Sequence, residues 1–173
     1  KGAGGALSID MTFSDVELVG LKNAKIESVK SDLNKYKFSA LIRTQHLDMN
    51  AKYKVIGKVL LIPINGAGRS IIKMNNPLMK LSMQGHLRKG KSGKEFLEFT
   101  TVSFEIVPEK SDFQFINPAH ATQASLLSRV VSENDKVIMQ DLQPAVSESF
   151  SLAFGEIANS IFEKVAFQDA FPE

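Results

Sequence analysis

The amino-acid sequence predicts an α+β protein in which a long curved antiparallel β-sheet is wrapped around one long C-terminal α-helix. Apolar and polar residues alternate through most of the first two thirds of the chain, which is typical of strands covered on one face. Over the last third, apolar residues recur every three to four positions, as along one face of a helix. The 173 residues can bury their own core, and we predict a single domain over residues 1–173, with the sheet at about 7–116 and the helix at about 120–165.

Strand-like segments follow one another in the amino-terminal half. Residues 7–13 alternate cleanly, Val19-Gly20-Leu21 is a break, and residues 22–33 form a weaker, more polar strand. Residues 35–43 and 52–61 then alternate in the same way, with one apolar and one polar face. We expect short connections between these strands and therefore a meander of strongly twisted ribbon.

Proline, glycine and asparagine indicate where the later strands begin and end. Pro63 should end the strand before it, and Asn65-Gly66-Ala67-Gly68 is predicted as a tight turn because Asn-Gly tolerates positive φ. A long strand over 69–88 is interrupted at Asn75-Asn76-Pro77, and a further strand covers 94–107.

The C-terminal apolar stripe runs in phase from about residue 120 to residue 165. Pro144 lies inside this stretch and lacks an N–H group, but the stripe continues on both sides of it. We therefore predict one amphipathic helix that bends at Pro144 and does not end there.

Composition and charge limit the class of protein. The chain contains no cysteine, which excludes disulfides and thiolate chemistry. Residues 1–94 carry 17 basic and 6 acidic side chains, a net charge of +11, whereas residues 95–173 carry 4 and 13, a net charge of −9. These charges either attract each other within the folded protein or form a basic patch for an anionic surface. The overall charge of +2 gives no support for nucleic-acid binding, and no apolar run is long enough to span a membrane.

Sequence motifs for catalysis or metal binding are not found. The three histidines, His46, His86 and His120, lie in separate segments with no carboxylate partner close in sequence. Neither a zinc-protease spacing nor a serine-nucleophile elbow occurs. We therefore predict no catalytic residues, no metal site and no cofactor.

Bulky apolar side chains are the informative feature of the composition. Twelve phenylalanines and six methionines accompany many Ile, Leu and Val residues on the predicted inner faces. A solidly packed core explains this composition, and so does a cavity for an apolar ligand, to which flexible methionines adapt well. The residue pattern alone leaves both alternatives open.

Several segments resemble one family of insect proteins. They are Gly20-Leu21-Lys22-Asn23-Ala24-Lys25-Ile26, the stretch from Tyr53 through Pro63 to Gly68, Leu142-Gln143-Pro144, and Ile157-Ala158-Asn159-Ser160-Ile161-Phe162 with the terminal Phe171. In order and spacing they are similar to the takeout and juvenile-hormone-binding family, and the similarity spans nearly the whole chain. Since the late sheet and the long helix contain no cysteine, the resemblance favours the takeout-like branch.

The resemblance implies both a fold and a function. It implies a curved sheet around a long helix, with an apolar tunnel that holds a terpenoid or fatty ligand. It also implies a secreted carrier in a haemolymph-like fluid, with no catalytic residues. The alternative, which the basic amino-terminal part motivates, is a membrane-surface or protein-interaction module with a solid core.

We expect a hydrophobic ligand to lie between the inward faces of the sheet and of the helix. Tyr36 or Tyr53 is expected to hydrogen-bond an ester, epoxide or carboxyl group of that ligand. The predicted ligand-binding residues are Tyr36, Phe38, Ile42, Tyr53, Val55, Val59, Leu61, Phe104, Ile106, Leu127, Val131, Ile138, Phe154, Ile157 and Phe162.

The resemblance also implies a further amino-terminal segment that helps to close one end of the tunnel. This sequence starts at Lys1-Gly2-Ala3-Gly4-Gly5 with no recognisable signal peptide, so we expect either a cytosolic protein or a chain whose leader has been removed. Without the segment, we expect a monomer with an open mouth or a weak homodimer formed by exposed strand edges.

Overall fold

The computed structural model describes residues 7–59, 62–91 and 93–172, which form two compact units. The first unit contains the described residues of 7–24, 44–77 and 107–142, and the second contains those of 25–43, 78–106 and 143–172. The single domain that the sequence suggests stays a prediction. The lead-in Lys1-Gly2-Ala3-Gly4-Gly5 lies outside the described residues.

The predicted α+β class is confirmed, with antiparallel strands followed by a long C-terminal helix. The strands are β1 (Leu7–Val19), β2 (Lys25–Asp32), β3 (Lys37–Arg43), β4 (His46–Val59), β5 (Ile62–Asn75), β6 (Leu78–Lys89), β7 (Glu95–Val107) and β8 (Lys110–Ile116). The first unit holds a four-stranded sheet of order β1-β4-β5-β8, and the second unit holds one of order β2-β3-β6-β7.

The strands form two separate sheets, whereas the sequence predicted a meander within one continuous sheet. The order of strands places β3 and β4 in different sheets, and it does the same for β5 and β6. Hydrophobic alternation specifies which face of a strand is buried, but it does not specify which strand lies beside it. The short connections at residues 44–45 and 76–77 therefore join strands of different sheets and are not hairpin turns.

The predicted tight turn at Asn65-Gly66-Ala67-Gly68 is wrong, because these residues lie within β5 and pair with β4. Gly68 is opposite Tyr53 in that ladder. A Cβ atom on Gly68 would overlap the backbone carbonyl oxygen of Ile116 in β8 and would crowd the Tyr53 ring. The glycine is therefore needed for the close approach of two strands and not for a turn.

Pro63 is the second residue of β5, so it lies inside a strand and does not end one. It pairs with Lys58 of β4, whereas the ladder between β5 and β8 begins only at Arg69. Proline lacks the N–H group that a central strand would donate, so it is compatible with this end of β5.

The predicted continuous helix is interrupted at Asn134, and it does not end at Pro144. The helices are α1 (Ala121–Glu133), α2 (Asp135–Phe162) and α3 (Phe167–Ala170). The Asn134 side-chain amide donates a hydrogen bond to the carbonyl oxygen of Val130 at 2.7 Å. This side chain competes with the backbone for a helix carbonyl, which explains the break. Pro144 lies inside α2, as the in-phase apolar stripe predicts.

The core of the first unit combines strand residues with α1. Val55, Ile72, Leu127 and Val131 are buried, and Phe113 on β8 is only 1% exposed. Strand β8 is not among the strands predicted from alternation, because its seven residues contain just two bulky apolar side chains on the buried face.

The core of the second unit is strongly aromatic. Leu97, Phe99 and Ala158 are buried at its centre. Partly buried side chains pack around them, namely Tyr36, Phe38, Met83, Leu87, Val102, Phe162, Phe167 and Phe171. The short helix α3 contributes Phe167, and the ring of Phe171 just after it stacks on Phe162 with centroids 6.1 Å apart.

Within the described residues, none of the helices combines the length and the apolar character that crossing a membrane requires.

Candidate functional site

Polar helix side chains hydrogen-bond the backbone at the edge of the first sheet. Ser128 Oγ accepts a hydrogen bond from the N–H of Phe115 at 2.8 Å, and Ser132 Oγ accepts one from the N–H of Phe113 at 2.8 Å. The Asp135 carboxylate accepts a hydrogen bond from the backbone N–H two positions before Phe113 in β8. Since β8 is an edge strand, these side chains replace the neighbouring strand that its backbone groups would otherwise need.

Side chains of α2 likewise hydrogen-bond the backbone at one edge of the second sheet. Gln143 Oε1 accepts a hydrogen bond from the N–H of Ile106 at 3.4 Å, and Ser147 Oγ donates one to the carbonyl oxygen of Phe104. Both strand residues belong to β7, one of the two edge strands of this sheet. These contacts hold the first part of the helix within the second unit against β7.

Asn159 makes the most complete of these contacts. Its amide oxygen accepts a hydrogen bond from the N–H of Phe99 at 2.8 Å, and its amide nitrogen donates one to the carbonyl oxygen of Phe99 at 3.0 Å. The side chain thus forms the pair of bonds that an adjacent antiparallel strand would form.

A common spacing explains why one helix can serve successive strand residues. Gln143 and Ser147 are four positions apart in α2, which corresponds to a rise of about 6 Å at 1.5 Å per residue. Their partners in β7 are two positions apart, which corresponds to about 6.8 Å at 3.4 Å per residue. Four helix residues therefore match two strand residues, and the same spacing relates Ser128 and Ser132 to β8.

A cavity of about 580 Å³ lies in the second unit, bounded by all four strands and by α2. Ala40, Leu41, Leu81 and Phe104 are its apolar residues. The other lining residues are Ser28, Lys30, Ser39, Lys80, Ser82, Ser103, Glu105, Gln143 and Ser147. The cavity is thus more polar than the apolar tunnel that the resemblance implied, and it is large enough for a small organic molecule.

The charged groups at this cavity are mostly paired with each other. Lys80 Nζ lies 2.8 Å from the Glu105 carboxylate, and both side chains are about half exposed. An ion pair this exposed contributes little stability, so its relevance here is to the charge balance of the cavity.

Among the predicted ligand-binding residues whose side chains the structure describes, Phe104 is the one that lines this cavity. Its ring lies 5.1 Å from that of Phe154 and 5.5 Å from that of Phe150, measured between centroids. Phe150 was not among the predicted ligand-binding residues, but its ring packs next to the rings of two that were, Phe104 and Phe154.

Other predicted residues of the second unit lie in the aromatic core. Phe38 packs edge-to-face on Phe99 at 5.7 Å, and Phe162 does so at 5.4 Å. Tyr36 packs edge-to-face on Phe167 at 5.6 Å. The structure brings these three predicted residues together, around aromatic rings that the sequence analysis did not select.

Three predicted residues of the first unit meet around a much smaller space. Tyr53, Val55 and Leu127 line a cavity of about 10 Å³, which is room for one water molecule at most. His120 and Gln123 are also in its lining. These residues are therefore close together, but the space among them does not fit an organic ligand.

The remaining predicted residues are scattered. Ile106 and Val131 are buried, whereas Ile42 and Ile138 are half-buried. Ile157 is 56% exposed and so does not point into a core. Val59 is the last residue of β4, but its side chain is not among those described, and Leu61 lies outside the described residues.

Sequence reasoning missed the polar helix residues, above all Gln143, Ser147 and Asn159. Their signal was present as small or amide side chains that interrupt the apolar stripe at positions facing a sheet edge. The search for apolar periodicity excluded them, because it counts a polar residue as solvent-facing.

Burial of Tyr53 leads to a testable pH dependence. The side chain is 3% exposed, and loss of hydration raises the pKa of its phenol above the usual value near 10. A raised pKa favours the folded state while the phenol is neutral, so this stability is complete below about pH 10 and is lost as the pH rises through the folded pKa. Urea unfolding between about pH 9 and pH 12 should therefore show a steeper fall for the natural chain than for Tyr53→Phe.

The same pH series separates Tyr53 from other groups. All other ionisable groups are the same in both chains, so only the difference between the two pH profiles reports on Tyr53. Parallel pH profiles for the two chains would show that the phenol is ionised as easily in the fold as in the unfolded chain.

Among the residues that the structure describes, no group of three or more His, Asp or Glu side chains is placed to hold a metal ion. His86 has a charged neighbourhood, with its Nε2 atom 3.8 Å from the Glu98 carboxylate, but Arg88 approaches the same carboxylate at 3.4 Å.

The fold and the cavity define the class, an α+β protein with two four-stranded sheets, a long C-terminal helix and a cavity of small-molecule size. The chain belongs to the haemolymph juvenile hormone binding protein family, whose profile matches residues 1–172. This confirms the resemblance predicted from the sequence motifs. Members of the family are binding proteins.

Individual relatives agree with this assignment. The chain is 27% identical to the circadian clock-controlled protein daywake of Drosophila yakuba, with 96% of this chain and 66% of the relative covered. It is 24% identical to a putative beta-carotene-binding protein of Schistocerca gregaria, with 92% and 65% covered. The chain thus spans about two thirds of the length of these relatives.

A solved structure shares the fold. The crystal structure of Epiphyas postvittana Takeout 1 matches with a TM-score of 0.68 at 20% identity, covering 91% of this chain and 74% of the other.

Proposed function

We propose that this chain is a non-enzymatic carrier that binds a small hydrophobic molecule, of the terpenoid or fatty class, in the cavity of the second unit. The observation that carries the proposal is the 580 Å³ cavity. Membership of a binding-protein family supports it, and so does the Schistocerca gregaria relative, which is described as a putative beta-carotene-binding protein.

The volume of the cavity sets the size of the ligand. At about 30 Å³ per non-hydrogen atom, the share of a water molecule in the liquid, the 580 Å³ cavity holds roughly 19 non-hydrogen atoms. A single acyl chain or a terpenoid of three isoprene units is of this size. A carotene is roughly twice as large and would extend beyond the cavity.

The expected affinity follows from the same count. At a ligand efficiency of about 0.3 kcal/mol per non-hydrogen atom, the bound for drug-sized ligands, roughly 19 atoms give about 6 kcal/mol. That corresponds to a dissociation constant of about 50 µM. Burial of hydrocarbon supplies most of this energy, at about 25 cal/mol per Å² of apolar surface.

The proposal includes an extracellular location in a haemolymph-like fluid, where a fatty or terpenoid molecule needs a carrier. The name of the family and the resemblance to secreted insect carriers support this location. An antibody to the chain should detect the protein in cell-free haemolymph, and its retention in the cell fraction would contradict the location.

Filling the cavity tests the proposal. Ala40 lies in β3 and lines the cavity, so Ala40→Phe should occupy space that the ligand needs. We expect Ala40→Phe to weaken binding of parinaric acid, a fluorescent fatty acid, at least about tenfold, or ~1.4 kcal/mol. Fluorescence titration of the delipidated protein measures the dissociation constant.

Ala67→Phe is the matched control, because Ala67 is an exposed strand alanine of the first unit. It should leave the dissociation constant unchanged. Absence of saturable parinaric acid binding by the natural chain would contradict the carrier function itself. Equal binding by the natural chain and by folded Ala40→Phe would instead show that the ligand lies elsewhere. Binding to anionic vesicles that is lost in high salt, without ligand uptake, would favour the membrane-surface alternative.

A further inference from the structure

One face of the first sheet concentrates basic side chains. Lys52, Lys54 and Lys58 are separated by even numbers of residues along β4, so they project from the same face. Arg69 of β5 is opposite Lys52 in the ladder and shares that face. All four side chains are exposed, whereas Val55 on the other face of β4 is buried. We call these four residues and the sheet surface between them the basic face.

Carboxylates balance the charge of the basic face only in part. Lys52 Nζ lies 2.8 Å from the Asp15 carboxylate, and Asp10 of β1 is opposite Ile56 in the ladder. The other three cations form no ion pair with any residue that the structure describes. Four cations and two carboxylates leave this face with a net charge of +2.

A cation farther along β5 shows the usual way in which a sheet balances its charges. Lys73 is opposite Asp48 of β4 on one side and opposite Asp112 of β8 on the other. Arg69, four residues earlier on the same face, is instead opposite another cation, Lys52. Like charges directly opposite each other destabilise a sheet, so the stability of the fold does not explain the basic face.

Exposed apolar side chains lie among these cations. Ile56 is between Lys54 and Lys58 on the basic face and is 66% exposed, and Ile116, which is opposite Arg69, is 39% exposed. Cations around exposed apolar side chains fit a surface that has negative charge at its outside and hydrocarbon just beneath, as an anionic lipid bilayer has. A soluble polyanion would contact the cations and would gain nothing from the isoleucines.

We propose that the basic face docks on the surface of an anionic lipid membrane, with its cations at the phosphate groups and Ile56 against the outer part of the hydrocarbon. This inference goes beyond the proposed carrier function and does not depend on it, because the face belongs to the first unit and the cavity to the second. A hydrophobic molecule without a carrier partitions into membranes, so a carrier that docks there meets its ligand.

The double variant Lys54→Gln/Lys58→Gln tests the contact, because it removes two exposed cations that have no ion pair with a described residue. Co-sedimentation measures binding to vesicles of phosphatidylcholine with about 30% phosphatidylserine, and vesicles of pure phosphatidylcholine are compared. At about 0.1 M salt, the natural chain should bind the anionic vesicles at least about tenfold more tightly than the neutral ones. The double variant should bind the anionic vesicles about tenfold more weakly than the natural chain.

Lys110→Gln/Lys136→Gln is the matched control, because it removes the same charge from exposed residues of the first unit outside the basic face. Charges far from the contact are screened, so its affinity should stay within about twofold of that of the natural chain. Equal losses in the two double variants would overturn the inference, and so would equal binding of the natural chain to both kinds of vesicle. Binding to heparin without binding to vesicles would also overturn it, in favour of a soluble polyanion. Parinaric acid titration measures the carrier function separately in each case.

Fluorescence tests the role of the apolar side chain. The chain contains no tryptophan, so Ile56→Trp introduces a single fluorescent reporter on the basic face. Its emission should shift to shorter wavelength when anionic vesicles are added, because the ring leaves water. Val137→Trp places the same reporter at an exposed position of α2 in the first unit, and its emission should not shift. Unshifted emission of Ile56→Trp on vesicles that do bind the protein, or equal shifts in both variants, would overturn the proposed contact.

Discussion

Gly68→Ala is expected to destabilise the first unit by about 3 kcal/mol or more. The added Cβ would overlap the backbone carbonyl oxygen of Ile116, and backbone cannot move aside without breaking the ladder between β5 and β8. The same atom would lie 3.1 Å from Cε1 of the Tyr53 ring, which covers the glycine. Urea unfolding measures the change, with the free energy of unfolding as the quantity compared.

Gly155→Ala is the control for this prediction. Gly155 is buried inside α2, and a Cβ there would lie 3.4 Å from Val102 Cγ2, an ordinary van der Waals contact. Alanine favours a helix over glycine by about 1 kcal/mol, so this variant should be neutral or more stable than the natural chain. If Gly68→Ala were tolerated as well as Gly155→Ala, the close approach of β8 at Gly68 would be wrong.

Asn159→Ala should cost about 2–4 kcal/mol in the free energy of unfolding. It leaves both the N–H and the carbonyl group of Phe99, a residue only 5% exposed, without their hydrogen-bond partner. Each such unsatisfied group costs about 1–3 kcal/mol. Hydrogen exchange should report the same change locally, as faster exchange of the Phe99 amide.

Ser160→Ala distinguishes this contact from a general effect on the helix. Ser160 is the next residue of α2, is exposed, and donates a hydrogen bond only to the carbonyl oxygen of Ile157. It should change stability by less than about 0.5 kcal/mol. Similar losses from both variants would show that Asn159 contributes helix propensity and not an edge contact.

The sequence was sufficient for the class of fold and for the family, because both depend on local patterns. Alternation identified most strands, and the stripe from residue 120 onward identified the helix through Pro144. Alternation could not predict which strands pair with each other, because any two strands with one apolar face satisfy the same pattern. The misplaced turn at Asn65–Gly68 shows the same limit, because a glycine that avoids a distant carbonyl resembles a glycine that turns the chain.

The candidate site was harder to predict for a different reason. Phe104 was selected for its apolar side chain and does line the cavity. Gln143 belongs to a motif that carried the family resemblance, but nothing in its local sequence indicates that its amide oxygen accepts a hydrogen bond from the N–H of Ile106 in β7. A contact between residues so far apart in sequence becomes visible only when the strand and the helix are in place.

The matched spacing between α2 and β7 also restricts how such a chain can change in length. One residue inserted between Gln143 and Ser147 would turn the serine by about 100° away from β7, and its bond to Phe104 would be lost. Four residues inserted there would restore the direction, provided that β7 gained two residues in the same interval. Insertions and deletions in homologous chains should therefore fall in the loops. Where they occur in this helix, they should be accompanied by changes in this strand, with one strand residue gained or lost for every two helix residues.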